Sequence, residues 1–154
     1  RIFRDKAFKK GNAAEHSQGK ENSMSEGKYG NCVVTLPIRR LGDTELMHVG
    51  AEQLNGFNCS IIYAYAFKTG ITGLSAKPHV HDYDEAIFFI GSDPRNFSKL
   101  GAEVEFAIGE EEEKHVFNRP SAVVIPRGLP HCPIVTRSIE QPYLCMAVSL
   151  TGKR

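Results

Sequence analysis

The sequence predicts an all-β sandwich or barrel. From residue 57 onward, short runs rich in aromatic and β-branched residues alternate with turns that contain glycine and proline. No stretch in this region has the 3.6-residue apolar periodicity of an amphipathic helix. Closely spaced strands separated by such turns are typical of sandwiches and barrels.

The predicted elements divide the chain into an arm and one domain. Residues 1–30 are polar and poor in large apolar side chains, so we expect an irregular N-terminal arm. Residues 31–154 form the single β domain. The acidic run "GEEEE" is predicted to be an exposed hairpin tip, because like charges in a row repel one another. The predicted strands are 31–38, 57–67, 85–91, 102–109, 121–126, 132–138 and 143–150.

Length and charge limit the classes of function. A chain of 154 residues is one ordinary domain that can bury a sizeable core. Its formal net charge of +1 gives no strong field for nucleic acid or an anionic membrane. No apolar run approaches the roughly 18 residues that a membrane span requires. We therefore expect a small molecule as the partner, and neither nucleic acid nor a membrane.

The four cysteines indicate a reducing compartment. Cys32, Cys59, Cys132 and Cys145 form no CxxC pair, and three of them lie in apolar runs typical of strands. Such residues usually behave as small buried hydrophobic side chains, which favours free thiols over disulfides. The sequence therefore predicts a cytoplasmic protein.

The stretch "KPHVHDYDEAIFFIG" contains the candidate metal ligands. Side chains alternate across a strand, so His79 and His81 point to the same face, and Glu85 has the same parity. Asp82 and Asp84 have the opposite parity and are expected in a turn. Taken alone, the stretch also fits two surface histidines beside solvated acids.

A further histidine follows the turn sequence "PRGLPH", residues 126–131. Proline and glycine are the residues that a sharp connection between strands needs, and here they precede His131. The turn would deliver His131 into the strand that follows. Three imidazoles and a carboxylate would then be available to one metal.

These residues resemble the two motifs of the cupin family. The first motif, G-x5-H-x-H-x(3,4)-E-x6-G, is similar to "GLSAKPHVHDYDEAIFFIG", except that five residues separate Glu85 from Gly91. The second, G-x5-P-x-G-x2-H-x3-N, resembles "PSAVVIPRGLPHCPIV". There Pro120 stands in place of glycine and Val135 in place of asparagine. Neither departure affects a ligand position.

The resemblance implies a cupin-type jelly-roll barrel of two facing sheets with a divalent metal near one mouth. The family's ligands correspond to His79, His81, Glu85 and His131. This donor set suits several transition metals. We favour Fe, Mn or Ni because an octahedral ion with four protein ligands keeps open positions, and zinc remains an alternative. Glu85 is also the candidate catalytic residue, because a carboxylate ligand that releases can move a proton.

Strand parity and chain position suggest the residues around the metal. Lys77 could hold an anionic group of the substrate, or it could be a solvated lysine. Tyr63 and Tyr65 share a strand face and are expected either in the pocket or in the core. Phe89, together with Ile87, should line the cavity, and Val135 should make one wall more apolar.

Two classes of function follow from the resemblance. The first is a metalloenzyme acting on a small oxygenated organic molecule, with dioxygenase chemistry favoured over isomerase, decarboxylase or lyase chemistry. The second is a binding module that needs the metal only to hold a ligand. Such domains often pair edge to edge, so we expect a homodimer, in which the N-terminal arm could add a strand to a neighbouring sheet.

Overall fold

The computed structural model describes residues 27–73 and 75–150. In this part of the chain the only helical element is a single three-residue 3-10 turn at Gly30–Cys32. The remaining regular structure is antiparallel β-strand, arranged in two sheets. The prediction of an all-β jelly roll is therefore confirmed. The predicted N-terminal arm, residues 1–30, lies almost wholly outside the described residues.

Ten strands build the two sheets. In chain order they are β1 (Ile38–Leu41), β2 (Thr44–Val49), β3 (Ser60–Ala66), β4 (Gly70–Thr72), β5 (Asp84–Gly91), β6 (Ala102–Ile108), β7 (Glu113–Phe117), β8 (Ser121–Ile125), β9 (His131–Ile139) and β10 (Tyr143–Leu150).

The larger sheet has six strands in the order β1-β2-β3-β10-β5-β8, and the smaller has four in the order β4-β9-β6-β7. From β3 onward the chain passes repeatedly from one sheet to the other. Strands β5 and β9, which carry candidate ligands, therefore belong to different sheets. The first two strands form a hairpin that extends the larger sheet on one side.

The core lies between the sheets and is dominated by aromatic rings. Phe89 and Phe106 are fully buried, with ring centroids 6.2 Å apart and an edge-to-face orientation. The ring centroid of Phe117 lies 4.9 Å from that of Phe89, also edge to face. Such edge-to-face contacts add to the stabilisation from burial itself. A second inward layer of aliphatic residues includes Leu100, Val104 and Ile134.

The predicted strand over residues 31–38 is wrong. The segment begins with the 3-10 turn, and no strand is assigned until β1. Val33 and Leu36 are exposed there, so the apolar residues that suggested a strand lie on the surface. None of the strands that the structure describes is hydrogen-bonded to residues 33–37, and Pro37 has no backbone N–H to donate.

The other predicted strands are present with small shifts in their ends. Three further elements did not stand out in the sequence: the β1–β2 hairpin, β4 and β7. Strands β1, β4 and β7 are short or mostly exposed, so their sequences lack a clear apolar alternation. The acidic tip is followed directly by β7, which pairs with β6.

No helix in the described residues is both long and apolar enough to cross a membrane.

Gly91, at the end of β5, marks a close approach of two backbone segments. A Cβ at this position would collide with the carbonyl oxygen of Lys99 and crowd the Cα of Leu100. Because backbone atoms cannot rotate away as a side chain can, only glycine fits here. This contact explains why a glycine follows the apolar strand at this spacing from Glu85.

We predict that Gly91→Ala lowers the free energy of unfolding by about 1–3 kcal/mol, since the added methyl group overpacks a backbone contact. Urea denaturation followed by circular dichroism measures the change. Gly50→Ala is the matched control, because its Cβ would meet no atom closer than 3.9 Å. The control should stay within about 0.5 kcal/mol of the parent chain. Equal stability of both variants would contradict the packing described for Gly91.

Candidate metal centre

His79 and His131 are joined by an isolated antiparallel bridge between the two cupin-like motifs. The N–H of each residue donates to the carbonyl oxygen of the other, both at 3.1 Å. Residues paired in this way project their side chains to the same side. The two imidazole centroids are accordingly only 4.4 Å apart.

His81 joins this pair because it follows His79 by two residues. Its ring centroid lies 4.8 Å from that of His79 and 5.2 Å from that of His131. The N–H of Gly128, in the proline-rich turn, donates to the carbonyl oxygen of His81 at 2.8 Å. Tyr83 stacks on the His81 ring at 4.7 Å with an angle of 8° between the planes. The turn and the tyrosine together fix the position of this imidazole.

Asp84 makes a second connection between the motifs. Its Oδ1 accepts a hydrogen bond from the backbone N–H of Arg127 at 2.9 Å. Asp84 is exposed and begins β5, so it does not face the three imidazoles. Its role is to hold the turn that precedes His131. Asp84 was predicted to point away from the metal and to lie in a turn; it does point away, but it is the first residue of β5 and not a turn residue.

The carboxylate of Glu85 reaches the imidazoles from the larger sheet. Its Oε2 lies 3.4 Å from Nε2 of His131, within ion-pair range but without forming a hydrogen bond. Ser149 Oγ donates to the other oxygen, Oε1, at 2.9 Å. Ser149 stands directly opposite Glu85 in the β5–β10 pairing. The hydroxyl therefore fixes one carboxylate oxygen and leaves the other facing His131.

Backbone carbonyl groups select the imidazole nitrogens that face the site. Nδ1 of His131 lies 3.0 Å from the Leu129 carbonyl oxygen, and Nδ1 of His79 lies 3.2 Å from that of Lys77. A carbonyl oxygen only accepts, so Nδ1 carries the proton in both rings. Each Nε2 is then left with a lone pair, which is the arrangement found in most metal-binding histidines.

The residues present fit a metal ion. One nitrogen from each of His79, His81 and His131 lies within 4.8 Å of the others. Nε2 of His131 is buried and has no hydrogen-bond partner, although buried polar atoms are normally paired. A cation among the three imidazoles and beside Glu85 would satisfy this atom. Three nitrogens and one carboxylate oxygen form a donor set suited to Fe, Mn, Ni or Zn.

Burial and charge act in opposite directions on the pKa values of these groups. Burial lowers the pKa of His131, but Glu85 and the Leu129 carbonyl outweigh it, and the pKa lies above its ordinary value. Burial raises the pKa of Glu85, but contacts with His131, Ser149 and His81 outweigh it, and the pKa lies below its ordinary value. Burial and the neighbouring imidazoles lower the pKa of His81. Carboxylate and imidazole thus stabilise each other's charged forms.

A cavity of about 420 Å³ opens beside the three imidazoles and Glu85. Its volume is in the range of pockets that bind small organic molecules. Its lining is mainly apolar away from the metal centre, with contributions from β2, β3 and β10 of the larger sheet and from β4 and β9 of the smaller sheet. The arrangement can therefore hold an organic ligand against a bound metal.

Two of the predicted substrate-binding residues, Tyr63 and Tyr65, belong to β3, which borders this cavity, as does Ile87 of β5. In the β3–β10 register they alternate with the inward Ile62 and Ala64, so their side chains point to the other face of the sheet.

The carbonyl of Lys77 binds His79, but its side chain is exposed and does not line the cavity. Phe89 points between the sheets, as parity predicts. It lies in the packed aromatic core and not at the cavity wall.

The structure places Val135 away from the cavity, in contrast to the sequence prediction. A bulge in β9 is the reason: a step of two residues along β6, from Phe106 to Ile108, is matched by a step of three along β9, from Ile134 to His131. Cys132, within the bulge, has a left-handed φ of 79°. The extra residue reverses the alternation. Ile134 faces the cavity, and Val135 pairs with Glu105 and Ile71 on the other side of β9.

Sequence reasoning missed several residues of the site. Tyr83 has the same parity as His81 and Glu85, and that signal could have identified it. Ser149 belongs to no motif, and its position opposite Glu85 depends on a register that the sequence does not specify. Cys132 and Cys145 also border the cavity. Burial raises their pKa values to about 11 and about 12, so both are neutral thiols at neutral pH.

Among the comparisons with known proteins, only those with solved structures gave matches, and these support the fold. No family model matches the sequence, and no curated protein matches it. A single-residue variant of oxalate decarboxylase from Bacillus subtilis has a TM-score of 0.52 and 15% identity, over 77% of this chain and 28% of that chain. Iron(II) HppE has a TM-score of 0.50 and 12% identity, over 74% of this chain and 56% of that chain.

A structure concerned with the Mn(II) centres of the same oxalate decarboxylase has a TM-score of 0.50 and 14% identity, over 77% of this chain. The chain spans 28% of the oxalate decarboxylase and 56% of HppE, so it is similar to one part of each. Both neighbours are cupin-fold metalloproteins. With two antiparallel sheets and these structural neighbours, the chain has the cupin fold, and three of its histidines could hold a metal ion.

Proposed function

We propose that the chain is a metal-dependent enzyme that transforms an organic molecule bearing a metal-binding oxygen group, with dioxygenase-type chemistry. The observation that carries the proposal is the unpaired, buried Nε2 of His131, which lies beside two further imidazoles and Glu85 at the wall of a cavity. A purely structural metal site would not need an adjoining cavity of about 420 Å³.

The chain's own residues would position the reaction in three ways. The Lys77 and Leu129 carbonyls orient two imidazoles, and Ser149 orients Glu85. The apolar walls exclude water from the ligand. A divalent Fe, Mn or Ni ion held by His79, His81, Glu85 and His131 would supply Lewis acidity or the ability to activate O₂.

Glu85 is the residue to which we assign proton transfer. It is the only carboxylate among the described residues that border the cavity. The Ser149 hydroxyl donates to Oε1 of this carboxylate and not to Oε2. The pKa of the carboxyl lies below its ordinary value because contacts with His131, Ser149 and His81 outweigh burial, so Glu85 is ionised at neutral pH and can accept a proton.

A second candidate is decarboxylase, lyase or isomerase chemistry at the same residues. The likeness to oxalate decarboxylase favours it, although at 15% identity that likeness concerns the fold. The same proton-accepting position of Glu85 would serve this chemistry. A metal-dependent binding module is the remaining alternative, and it would require the site to bind a ligand without turnover.

We also retain a cytoplasmic location and a homodimer as proposals. All four cysteines are free thiols, which is the usual state in a reducing compartment. The edge strand β1 is exposed along its whole length, and an exposed edge can pair with another chain. The sedimentation mass of the purified protein would decide between monomer and dimer.

We predict that the protein purified without added metal contains close to one transition-metal ion per chain, and that His131→Ala and His79→Ala each lose most of it. Removing one imidazole leaves the remaining donors too few to hold the ion tightly. Elemental analysis measures the content. His115→Ala is the control, because His115 contacts Glu113 on β7 and not the three histidines. Unchanged metal content in both site variants would refute the assignment.

Ser149→Ala should weaken metal binding by about tenfold without unfolding the chain. The hydroxyl holds Glu85 in place, and loss of such a supporting hydrogen bond typically reduces metal affinity by this order. Competition with a chromogenic chelator measures the affinity. Ser121→Ala removes a hydroxyl bonded only to the Arg119 carbonyl and should leave the affinity unchanged. A similar loss in both variants would show that Ser149 does not act through Glu85.

Oxygen consumption distinguishes the two reaction classes. We expect the Fe(II) form to consume O₂ when supplied with keto acids, catechols or thiols, and Glu85→Gln to slow turnover by about 100-fold, as expected for loss of an acid–base group. An oxygen electrode records the uptake. Release of CO₂ or isomerisation without O₂ uptake would favour the second candidate. Tight ligand binding with no turnover under any of these conditions would contradict the enzymatic proposal.

A further inference from the structure

The polarity of the cavity changes abruptly along the strands of the larger sheet. The pairing of β5, β10 and β3 aligns their inward residues in successive rows. The first row contains Glu85, Ser149 and Ser60, and all three are polar. Two residues further along each of these three strands, about 7 Å away, the side chains of the next row are apolar. The same row continues on β2 as His48, whose ring bonds Ser60. The second row consists of Ile87, Ala147 and Ile62, and the third of Phe89, Cys145 and Ala64. Phe89 belongs to the packed core, so the third row meets the cavity only through Cys145 and Ala64.

The facing wall is apolar at the same depth. Ile134 of β9 is almost completely buried and borders the cavity together with Cys132. A ligand that extends from the metal centre along the strands therefore leaves the polar groups within one row. The rest of its surface would contact hydrocarbon and neutral sulfur.

The cavity lacks a free cation to receive a second anionic group. Lys68 is the only lysine or arginine that borders it among residues 27–73 and 75–150. Its Nζ is already 2.7 Å from Oδ2 of Asp43. A dicarboxylate or a phosphate ester would have to bury its second charge without a partner, which is strongly unfavourable.

The hydroxyl groups at the wall are also largely occupied. Ser60 Oγ lies 3.2 Å from His48 Nε2, and Thr72 Oγ1 lies 2.6 Å from Thr136 Oγ1. The Tyr143 hydroxyl completes the second group, 2.7 Å from Thr136. A polyhydroxylated ligand such as a sugar acid would therefore find few unsatisfied partners beyond the first row.

We propose that the ligand of this cavity is an amphiphile with a single metal-binding oxygen head, such as a monocarboxylate, and an apolar body that lies along the second and third rows. This inference rests on the proposed function only for the head, because the preference for an apolar body follows from the walls. It names a substrate class and sets it apart from small dicarboxylates and sugar acids.

Calorimetric titration with acetate, butyrate, hexanoate and octanoate tests the inference on the metal-loaded protein. Each added methylene should tighten binding by about fourfold while the chain lies within the apolar rows. Hexanoate should bind more tightly than succinate or gluconate. Affinity that does not rise with chain length, or tighter binding of succinate or gluconate, would overturn the proposal.

Two cavity-filling variants locate the body of the ligand. Ala64→Leu and Ala147→Leu add bulk to inward positions on β3 and β10 and should reduce octanoate binding at least tenfold, with acetate binding unchanged. Having two positions keeps the test informative if one variant misfolds. Ala122→Leu is the control, because Ala122 is exposed on β8 and alternates with the inward-facing residues. Equal octanoate binding by the control and both folded cavity variants would overturn the proposed path.

The same series in His131→Ala separates this inference from the metal proposal. All affinities should fall because the head loses its partner, but the gain for each methylene should persist. If the wild-type chain carries no metal and still shows the gain, the proposed function fails and the apolar preference stands. If the metal is bound and the gain is absent, the apolar preference fails and the metal proposal stands.

Discussion

The candidate site depends on one pair of backbone hydrogen bonds. The reciprocal bonds between His79 and His131 join segments that are far apart in sequence and set their imidazoles 4.4 Å apart. His81 then follows on the same side because side chains alternate along an extended chain. The bond from Gly128 to His81 and the bond from Arg127 to Asp84 hold the second motif in the same register. A slip of one residue here would turn an imidazole away from the others.

The larger sheet supplies the Glu85 carboxylate, which the His79–His131 bridge does not position. Glu85 belongs to β5, whereas His131 opens β9 in the smaller sheet, so the carboxylate and this imidazole approach each other across the gap between the sheets. Ser149 on β10 ties the carboxylate to the larger sheet. The core that holds the sheets together, centred on Phe89 and Phe106, therefore also sets the distance between carboxylate and imidazoles. Stability and site geometry are coupled through this packing.

The sequence was sufficient for the features that depend on local pattern. Alternation placed His79, His81 and Glu85 on one face, and the turn chemistry of "PRGLP" predicted where His131 would enter a strand. The aromatic and β-branched runs located most strands of the two sheets. Each of these signals lies within a few neighbouring residues and does not depend on pairing between distant strands.

Features that depend on pairing between distant segments were not predictable. The bulge at Cys132 reverses the parity of β9, and it moved Val135 out of the predicted wall. Phe89 has the predicted orientation, but its ring packs against Phe106 and Phe117 and therefore lies in the core and not at the cavity wall. Ser149 contacts Glu85 only because β10 pairs with β5 in one register. A strand was expected over 31–38 from its composition, yet no strand in the described part of the chain pairs with residues 33–37.

X-ray absorption at the edge of the bound metal tests the central claim most directly. The account predicts a first shell of nitrogen and oxygen only, made up of three imidazole nitrogens and one carboxylate oxygen from Glu85. The remaining ring atoms of the three imidazoles should add their outer-shell scattering. A sulfur scatterer from Cys132, or a signal from fewer than three imidazoles, would contradict it.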